Sequence, residues 1–207
     1  MPLNFLANHN TIIWGASGVG KTTFMLRIIK EKLVYPFPKL IYYMYRVRQD
    51  FMDSWNLDKS NPRIKFIENL NFDDVDNNRE PCILVIDDLL LSTNKDTCEQ
   101  FILGSHHKKI STFFLTQSLF PKDDMFRCMS QNTHYFVLFN NQRNFRQLLT
   151  LARQAFTKKD VELVESAYKR SLQTPRGFII LTFNPLIPQE LAILTDFWER
   201  YPSIYLQ

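Results

Sequence analysis

Short runs of apolar residues alternate along this chain with longer segments in which apolar residues recur every three or four positions. The short runs predict β-strands, and the longer segments predict α-helices. Several of the strands are apolar on both faces, which is typical of a parallel sheet that helices cover on both sides. The predicted strands are residues 11–14, 40–45, 64–67, 83–86, 112–116, 135–139 and 177–183.

The helical segments, and the prolines and polar stretches that separate them, predict one α/β domain. Pro36 and Pro38 end the first helix, and the polar, acidic stretch 73–80 predicts a loop before the strand at 83–86. The segment after Pro188 has no clear sheet partner, so it is expected either to pack as a C-terminal helix or to reach a neighbouring subunit. The domain spans 1–207, with a core of about 10–185 and a C-terminal extension. The predicted helices are residues 21–34, 96–103, 143–156 and 159–172.

A phosphate-binding loop is predicted between the first strand and the first helix. Residues 15–22 are Gly-Ala-Ser-Gly-Val-Gly-Lys-Thr, the Walker A pattern, in the strand–loop–helix context that phosphate binding requires. Backbone N–H groups of such a loop face the phosphates. Lys21 is predicted to contact the β- and γ-phosphates of ATP, and Thr22 to ligate Mg²⁺. The predicted nucleotide-binding residues are Gly15, Ala16, Ser17, Gly18, Val19, Gly20, Lys21, Thr22 and Thr23.

Two acids follow the apolar strand at 83–86 and resemble a Walker B motif. Asp87 lies at the carboxyl end of the strand, where ligands of open α/β sheets bind, and is predicted to hold Mg²⁺ opposite Thr22. Asp88 is predicted to polarise the attacking water, although its side chain is one methylene shorter than the Glu of many motor ATPases. Gln117 ends the strand at 112–116 and either orients water against the γ-phosphate or caps the next loop.

The overall composition narrows the class of protein without deciding its function. A net charge of +4 over 207 residues is compatible with a polyanionic partner and equally with an ordinary protein. Cys82, Cys98 and Cys128 are widely spaced, as expected for reduced thiols in an intracellular protein. The N-terminus lacks signal-peptide features, and no apolar stretch reaches about 18 residues, so no membrane span is expected.

Residues 105–154 carry a pattern more specific than the Walker motifs. It resembles a signature of viral DNA-packaging ATPases of the FtsK/HerA superfamily, in the poxvirus-like branch with the ATPases of adintoviruses, virophages and Polinton-type elements. The similarity extends over about residues 11–183, most of the chain. The matching positions are Ser105-His106-His107, Ser111, 114–120 (Phe-Leu-Thr-Gln-Ser-Leu-Phe), Arg127, 130–132 (Ser-Gln-Asn), 134–139 (His-Tyr-Phe-Val-Leu-Phe), 141–143 (Asn-Gln-Arg) and 151–154 (Leu-Ala-Arg-Gln).

This resemblance implies a P-loop NTPase fold of RecA/FtsK-like type, a three-layer α/β sandwich with a mostly parallel central sheet. It also implies a homo-oligomeric ring, a pentamer or hexamer, that hydrolyses ATP with Mg²⁺ to pump double-stranded DNA into a capsid. A capsid or portal protein would be its docking partner. Such a protein would work inside a host cell, in the nucleus or a viral factory, or be carried in the virion.

In such rings an arginine of one subunit reaches the γ-phosphate bound by the next and stabilises the transition-state charge. Arg127 is the first candidate, because it lies in the predicted loop before the strand at 135–139, where the resemblance places this family's arginine. Arg143 and Arg153 are runners-up, and Arg146 matches the family pattern less well.

Several features and functions stay open at this point. The aromatic stretch 42–45 favours a half-buried strand over a base-stacking surface. A small nucleoside or nucleotide kinase would also fit the size, but the sequence lacks an arginine-rich lid and an acceptor pocket. A structural protein that binds ATP without turnover is the other alternative. Candidate DNA contacts are His106, His107, Lys108 and Lys109 in a predicted turn, and Lys158, Lys159, Lys169 and Arg170, for which a solvated mixed-charge face is favoured.

Overall fold

A computed structural model describes residues 4–89, 95–119, 124–140, 145–199 and 202–205. The strands are β1 (Phe5–Leu6), β2 (Asn10–Trp14), β3 (Val34–Tyr35), β4 (Leu40–Tyr45), β5 (Lys65–Glu68), β6 (Cys82–Asp87), β7 (Ile110–Thr116), β8 (Tyr135–Phe139), β9 (Phe178–Thr182), β10 (Ile193–Thr195) and β11 (Ser203–Ile204). The helices are α1 (Lys21–Lys30), α2 (Phe51–Trp55), α3 (Asp73–Asp76), α4 (Lys95–His107), α5 (Asp124–Gln131), α6 (Phe145–Ala155) and α7 (Lys158–Ser171).

One nine-stranded sheet, in the order β11-β10-β9-β8-β2-β7-β6-β4-β5, organises the chain. The strands from β8 to β5 pair in parallel, whereas β9, β10 and β11 extend the sheet in antiparallel fashion. Strand β2 lies between β8 and β7, so the segment that follows it leaves from the middle of the nine-stranded sheet. The predicted α/β fold with a mostly parallel central sheet is confirmed.

Two apolar cores, one on each face of this sheet, make the structure three-layered. On one face, Phe24, Met25 and Ile28 of α1 pack against inward residues of the central strands, including Val85. On the other face, α4 to α7 pack against the alternate residues of the same strands, with Phe101 and Tyr168 fully buried. Because successive side chains of a strand point to opposite faces, strands covered on both sides must be apolar throughout.

All seven predicted strands form within two residues of their predicted bounds, but the first helix is shorter than predicted. Helix α1 ends at Lys30, and Val34–Tyr35 form β3, which pairs with β1. The physical reason is a left-handed Lys32 (φ 56°), whose N–H donates to Ile29 O while Leu33 N–H donates to Ile28 O. This pair of bonds is the Schellman ending of a helix, formed here without the usual glycine.

Two further predictions are wrong. The acidic stretch 73–80, predicted as a loop, contains the single-turn helix α3, whose first N–H group, that of Asp73, donates to Asn71 Oδ1 at 2.9 Å. The segment after Pro188, for which no sheet partner was predicted, begins with a 3-10 turn (Gln189–Leu191), and β10 then pairs with β9 and extends the sheet of its own chain. A strand of three residues is too short to show periodicity in the sequence. None of the helices in the described ranges has the length and apolar composition that crossing a bilayer requires.

Candidate nucleotide-binding site

The predicted phosphate-binding loop leaves the carboxyl end of β2 and runs into α1, which begins at Lys21. Gly15 N–H donates to Thr116 O at 3.1 Å, which joins the start of the loop to the end of the neighbouring strand β7. Gly20, the residue before α1, has φ 108°, a conformation that side-chain-bearing residues rarely adopt. The loop therefore points its N–H groups and the start of α1 toward the same open space.

Lys21 occupies the concave side of this loop. Its ammonium Nζ donates to Gly15 O at 2.8 Å and to Ala16 O at 2.9 Å. Burial lowers the pKa of Lys21, and the charges of Asp87 and Asp88 act in the opposite direction. The ammonium is thus a partly desolvated cation at the place where the Walker A pattern predicts phosphate oxygens.

Asp87 ends β6 and lies opposite the first turn of α1. Thr22 Oγ1 donates to Asp87 Oδ2 at 3.2 Å, and the Asp87 carboxyl group is only 5% exposed. Burial raises the pKa of Asp87, whereas hydrogen bonds from Tyr43 and Thr22 and the charge of Lys21 lower it. A hydroxyl oxygen and a carboxylate oxygen facing one cavity fit Mg²⁺, which is commonly bound by one or two protein groups together with substrate phosphates. The described residues contain no group of three or more His, Cys, Asp or Glu that could hold a metal by itself.

Tyr43, which sequence reasoning did not single out, also contacts Asp87. Its phenolic OH donates to Asp87 Oδ2 at 2.5 Å from the adjacent strand β4, and the side chain is fully buried. Burial and the neighbouring Asp87 charge raise the pKa of Tyr43 well above its usual range, so it remains a neutral donor. Gln49 Nε2 donates to the same oxygen at 3.4 Å. In the sequence, the signal for Tyr43 is its phenolic OH in a strand of mainly apolar groups. The contact with Asp87 depends on the order of the sheet, in which β4 lies beside β6.

Asp88 and Gln117, the predicted water-orienting residues, contact each other. Gln117 Nε2 donates to Asp88 Oδ1 at 3.1 Å across the ends of β6 and β7. Asp88 is exposed and has φ 55°, a left-handed conformation that is uncommon for a residue with a side chain. Backbone strain of this kind costs of order 1–3 kcal/mol and concentrates at functional sites. The turn at Asp88 directs its carboxylate into the cavity instead of continuing the strand.

These groups surround one cavity of about 350 Å³, open to solvent, at the carboxyl edge of the parallel strands. The structure therefore brings together the predicted loop, the two predicted acids and the predicted glutamine. It adds Gln49 and Arg176, which the sequence did not indicate. The lining residues are Ser17, Gly18, Gly20, Lys21, Thr22, Thr23, Gln49, Asp87, Asp88, Gln117 and Arg176.

Solved structures with this arrangement of strands and helices include viral packaging enzymes. The genome-packaging NTPase B204 of Sulfolobus turreted icosahedral virus 2, solved with ATPγS, superposes with a TM-score of 0.56 over 96% of this chain and 97% of its own, at 10% identity. The DNA-packaging ATPase B204 of Sulfolobus turreted icosahedral virus gives 0.55 over 99% and 98%, at 11% identity. The flagellar accessory protein FlaH of Methanocaldococcus jannaschii gives 0.51 over 98% and 90%, at 10% identity.

The chain has the P-loop NTPase fold. At these identities the likeness concerns the fold alone, and no protein-family model and no curated protein sequence matches the chain. The Walker A loop lies between a central strand and the helix after it, which is the position of the phosphate-binding loop in this fold.

Arg127, Arg146 and Arg153, which were considered for action between subunits, are not among the residues that line this cavity. Arg127 is exposed and lies in helix α5, not in a loop as predicted. Residues 124–131 form a helix because one face, including Met129, is buried against the core while Arg127 faces solvent. Arg153 and Arg146 are exposed on α6, and Arg143 lies outside the described residues.

Several of the candidate DNA contacts are engaged within the chain. Helix α4 extends to His107, so the predicted turn begins only at Lys108, whose Nζ lies 2.6 Å from Asp76 Oδ1. Lys169 pairs with Glu165 at 2.7 Å, and Arg170 with Asp196 at 3.3 Å. Lys158, Lys159 and Lys109 are exposed. The aromatic stretch of β4 is buried on both faces, which goes further than the half-buried strand that was predicted and leaves it unable to serve as a stacking surface.

Proposed function

We propose that this protein is an ATP-driven translocase of double-stranded DNA, the genome-packaging motor subunit of a DNA virus or virus-like element. The observation that carries the proposal is the convergence of Lys21, Thr22, Asp87, Asp88 and Gln117 on one cavity beside the Walker A loop. This set contains a cation for phosphate, two oxygens for a metal, and a carboxylate–amide pair for water. Each is what hydrolysis of a phosphoanhydride requires.

In the proposed reaction, the oxygen of water attacks the γ-phosphorus of ATP, the bond from that phosphorus to the β,γ-bridging oxygen breaks, and ADP and inorganic phosphate leave. Lys21 exchanges the carbonyls of Gly15 and Ala16 for phosphate oxygens and compensates their charge. Asp88 accepts a hydrogen bond from the attacking water and polarises it. Gln117, which donates to Asp88 Oδ1, holds that carboxylate and contacts the same water. Catalysis of this kind depends mainly on positioning and electrostatic stabilisation.

Thr22 and Asp87 would hold Mg²⁺, which would neutralise the charge that develops on the phosphates. Tyr43 and Lys21 support this role, because both favour the ionised form of the Asp87 carboxyl group that metal binding needs. The geometry is compatible with the metal because Thr22 Oγ1 and Asp87 Oδ2 face the same cavity.

The packaging role is supported by the sequence pattern at 105–154 and by likeness in fold. B204, whose fold matches nearly the whole chain, is a genome-packaging NTPase that binds ATPγS. We propose membership of the FtsK/HerA superfamily and assembly as a homo-oligomeric ring around duplex DNA, docked on a capsid or portal protein. Arg127 then completes the site of the neighbouring subunit, since it is exposed and does not line the cavity of its own chain. The place of action is the infected cell or the virion.

The test measures phosphate release from ATP with and without long duplex DNA, beside transfer of labelled phosphate to nucleosides and nucleoside monophosphates. We expect Mg²⁺-dependent hydrolysis that duplex DNA accelerates. DNA affinity should fall steeply with salt if several backbone phosphates are neutralised together. Transfer to a nucleoside acceptor would support a kinase instead, and tight ATP binding without turnover would support a structural role.

A further inference from the structure

A second cavity adjoins the phosphate cavity on the other side of the α1 N-terminus. It has a volume of about 220 Å³ and shares Gly20, Thr23 and Arg176 with the phosphate cavity. The two cavities therefore adjoin each other at the first turn of α1, so a ligand whose phosphates lie at Lys21 has the second cavity as its neighbour.

The walls of this second cavity are mainly aromatic. They come from distant parts of the chain: Phe24 from α1, Phe139 from β8, Phe178 from β9, and Phe197 and Trp198 from the turn after β10. Trp198 packs against Phe24 with ring centroids 5.2 Å apart and against Phe197 at 4.9 Å. An apolar cleft with aromatic walls and a few polar groups at its mouth is the usual environment of a planar organic ligand.

Trp198 packs against Arg27, in the last turn of α1. The Arg27 guanidinium lies 4.0 Å from the centroid of the indole ring, and its Nε donates to Glu31 at 2.6 Å. The indole is only partly exposed, and it reaches α1 because β10 adds to the sheet beside β9. The C-terminal strands thus complete a wall next to the Walker A loop.

Arg176 stands at the junction of the two cavities. Its Cδ lies 3.5 Å from the position that a Cβ on Gly20 would occupy, which places the side chain directly over the loop. Its backbone has φ 56°. Asn140 stabilises the turn that holds it: Asn140 Nδ2 donates to Ser171 O, and Ser171 Oγ donates to Asn140 Oδ1, both at 2.6 Å. The next residue, Gly177, has to be a glycine, because a Cβ there would lie 2.0 Å from Ser171 O. The left-handed arginine thus places an exposed guanidinium side chain beside the Walker A loop, where the two cavities meet.

Because the aromatic cavity adjoins the phosphate cavity, we infer that it is the subsite for the nucleobase and ribose. Trp198 forms its wall, and Arg176 contacts the innermost phosphate. The inference rests on the proposed function, in that it places the phosphates of a nucleoside triphosphate in the Walker A loop. It assigns a ligand-binding task to residues 196–199, which belong to none of the nucleotide motifs.

The test compares two ligands that share their phosphates and differ in the base. Mg²⁺-ATP and Mg²⁺-tripolyphosphate are titrated calorimetrically against the full chain and its variants. We expect Trp198→Ala to weaken ATP binding about 5- to 100-fold, the range for loss of one base–aromatic stack. Tripolyphosphate affinity should be unchanged. Trp198→Phe should retain most of the ATP affinity, and Trp55→Phe, at a partly buried tryptophan remote from both cavities, serves as the matched control.

Intrinsic fluorescence gives a second readout that does not require Trp198→Ala to fold. ATP should change the tryptophan emission of the wild-type protein, tripolyphosphate should not, and the change should vanish in Trp198→Phe. Equal weakening of both ligands in Trp198→Ala, or equal wild-type affinity for ATP and tripolyphosphate, would overturn the base subsite. Failure of the wild-type protein to bind tripolyphosphate would instead count against the phosphate site on which the proposed function depends.

Discussion

The hydrogen bond from Tyr43 to Asp87 offers a direct test of how the candidate metal site is tuned. Tyr43→Phe removes the phenolic OH and leaves the ring that packs against Phe51 and Phe66. The lost bond joins a buried donor to a buried carboxyl group at 2.5 Å. A hydrogen bond to a charged group is worth about 1.5–3 kcal/mol. That range corresponds to roughly a 10- to 150-fold change in the balance between ionised and protonated carboxyl.

The direction of the effect follows from which form the bond favours. Donation from Tyr43 lowers the pKa of Asp87, so its removal raises that pKa further above the ordinary range. A carboxyl group with a higher pKa needs a higher pH to ionise, and only the ionised form can hold Mg²⁺. The acid limb of the pH profile for ATP hydrolysis should therefore move to higher pH. At high pH, where Asp87 is ionised in both proteins, their rates should converge.

The assay is steady-state phosphate release as a function of pH at fixed Mg²⁺, with a Mg²⁺ titration at one pH on the acid limb. Tyr42→Phe is the matched control, because Tyr42 is a neighbouring buried tyrosine on the opposite face of β4. A thermal melt of each variant checks that the fold is retained. If Tyr43→Phe gives the wild-type profile, or if Tyr42→Phe moves the acid limb equally, the argued coupling between Tyr43 and Asp87 is wrong.

Four further substitutions probe the remaining parts of the site. Lys21→Ala removes the loop cation and should abolish hydrolysis without changing the circular dichroism spectrum; unchanged turnover would place the nucleotide site elsewhere. Asp87→Asn should weaken Mg²⁺-dependent ATP binding, whereas Asp88→Asn should spare binding and stop hydrolysis, and normal turnover in Asp88→Asn would assign water polarisation to another group. Arg127→Ala subunits mixed with wild type should reduce activity more than in proportion to their fraction, because each disables the site of a neighbour; a linear loss would contradict action between subunits.

The central strands and the phosphate loop could be predicted because their signals are local. A strand that is buried on both faces must be apolar throughout, and β4, β6 and β8 all show this over five or six residues. The Walker A pattern spans eight consecutive residues whose types follow from the anion that they surround. Asp87, Asp88 and Gln117 could be placed at one edge because parallel strands end on the same side of a sheet.

The remaining features depend on contacts between distant segments. Tyr43 contacts Asp87 only because β4 lies beside β6, and Trp198 meets Arg27 only because β10 extends the sheet next to β9. Helix α1 ends early because Lys32 adopts a left-handed conformation, and the sequence has no glycine at that position to indicate it. Arg127 was predicted in a loop because α5 is only eight residues long and its buried face depends on packing with α4.

Electron cryomicroscopy of the protein with a non-hydrolysable ATP analogue, Mg²⁺ and duplex DNA tests whether the protein is a ring motor on DNA. We expect closed rings around the duplex, with phosphates at Lys21 and Thr22 and an arginine of the adjacent subunit at the γ-phosphate. Single subunits that hold nucleotide in the same cavity but leave the DNA unbound would contradict the ring motor.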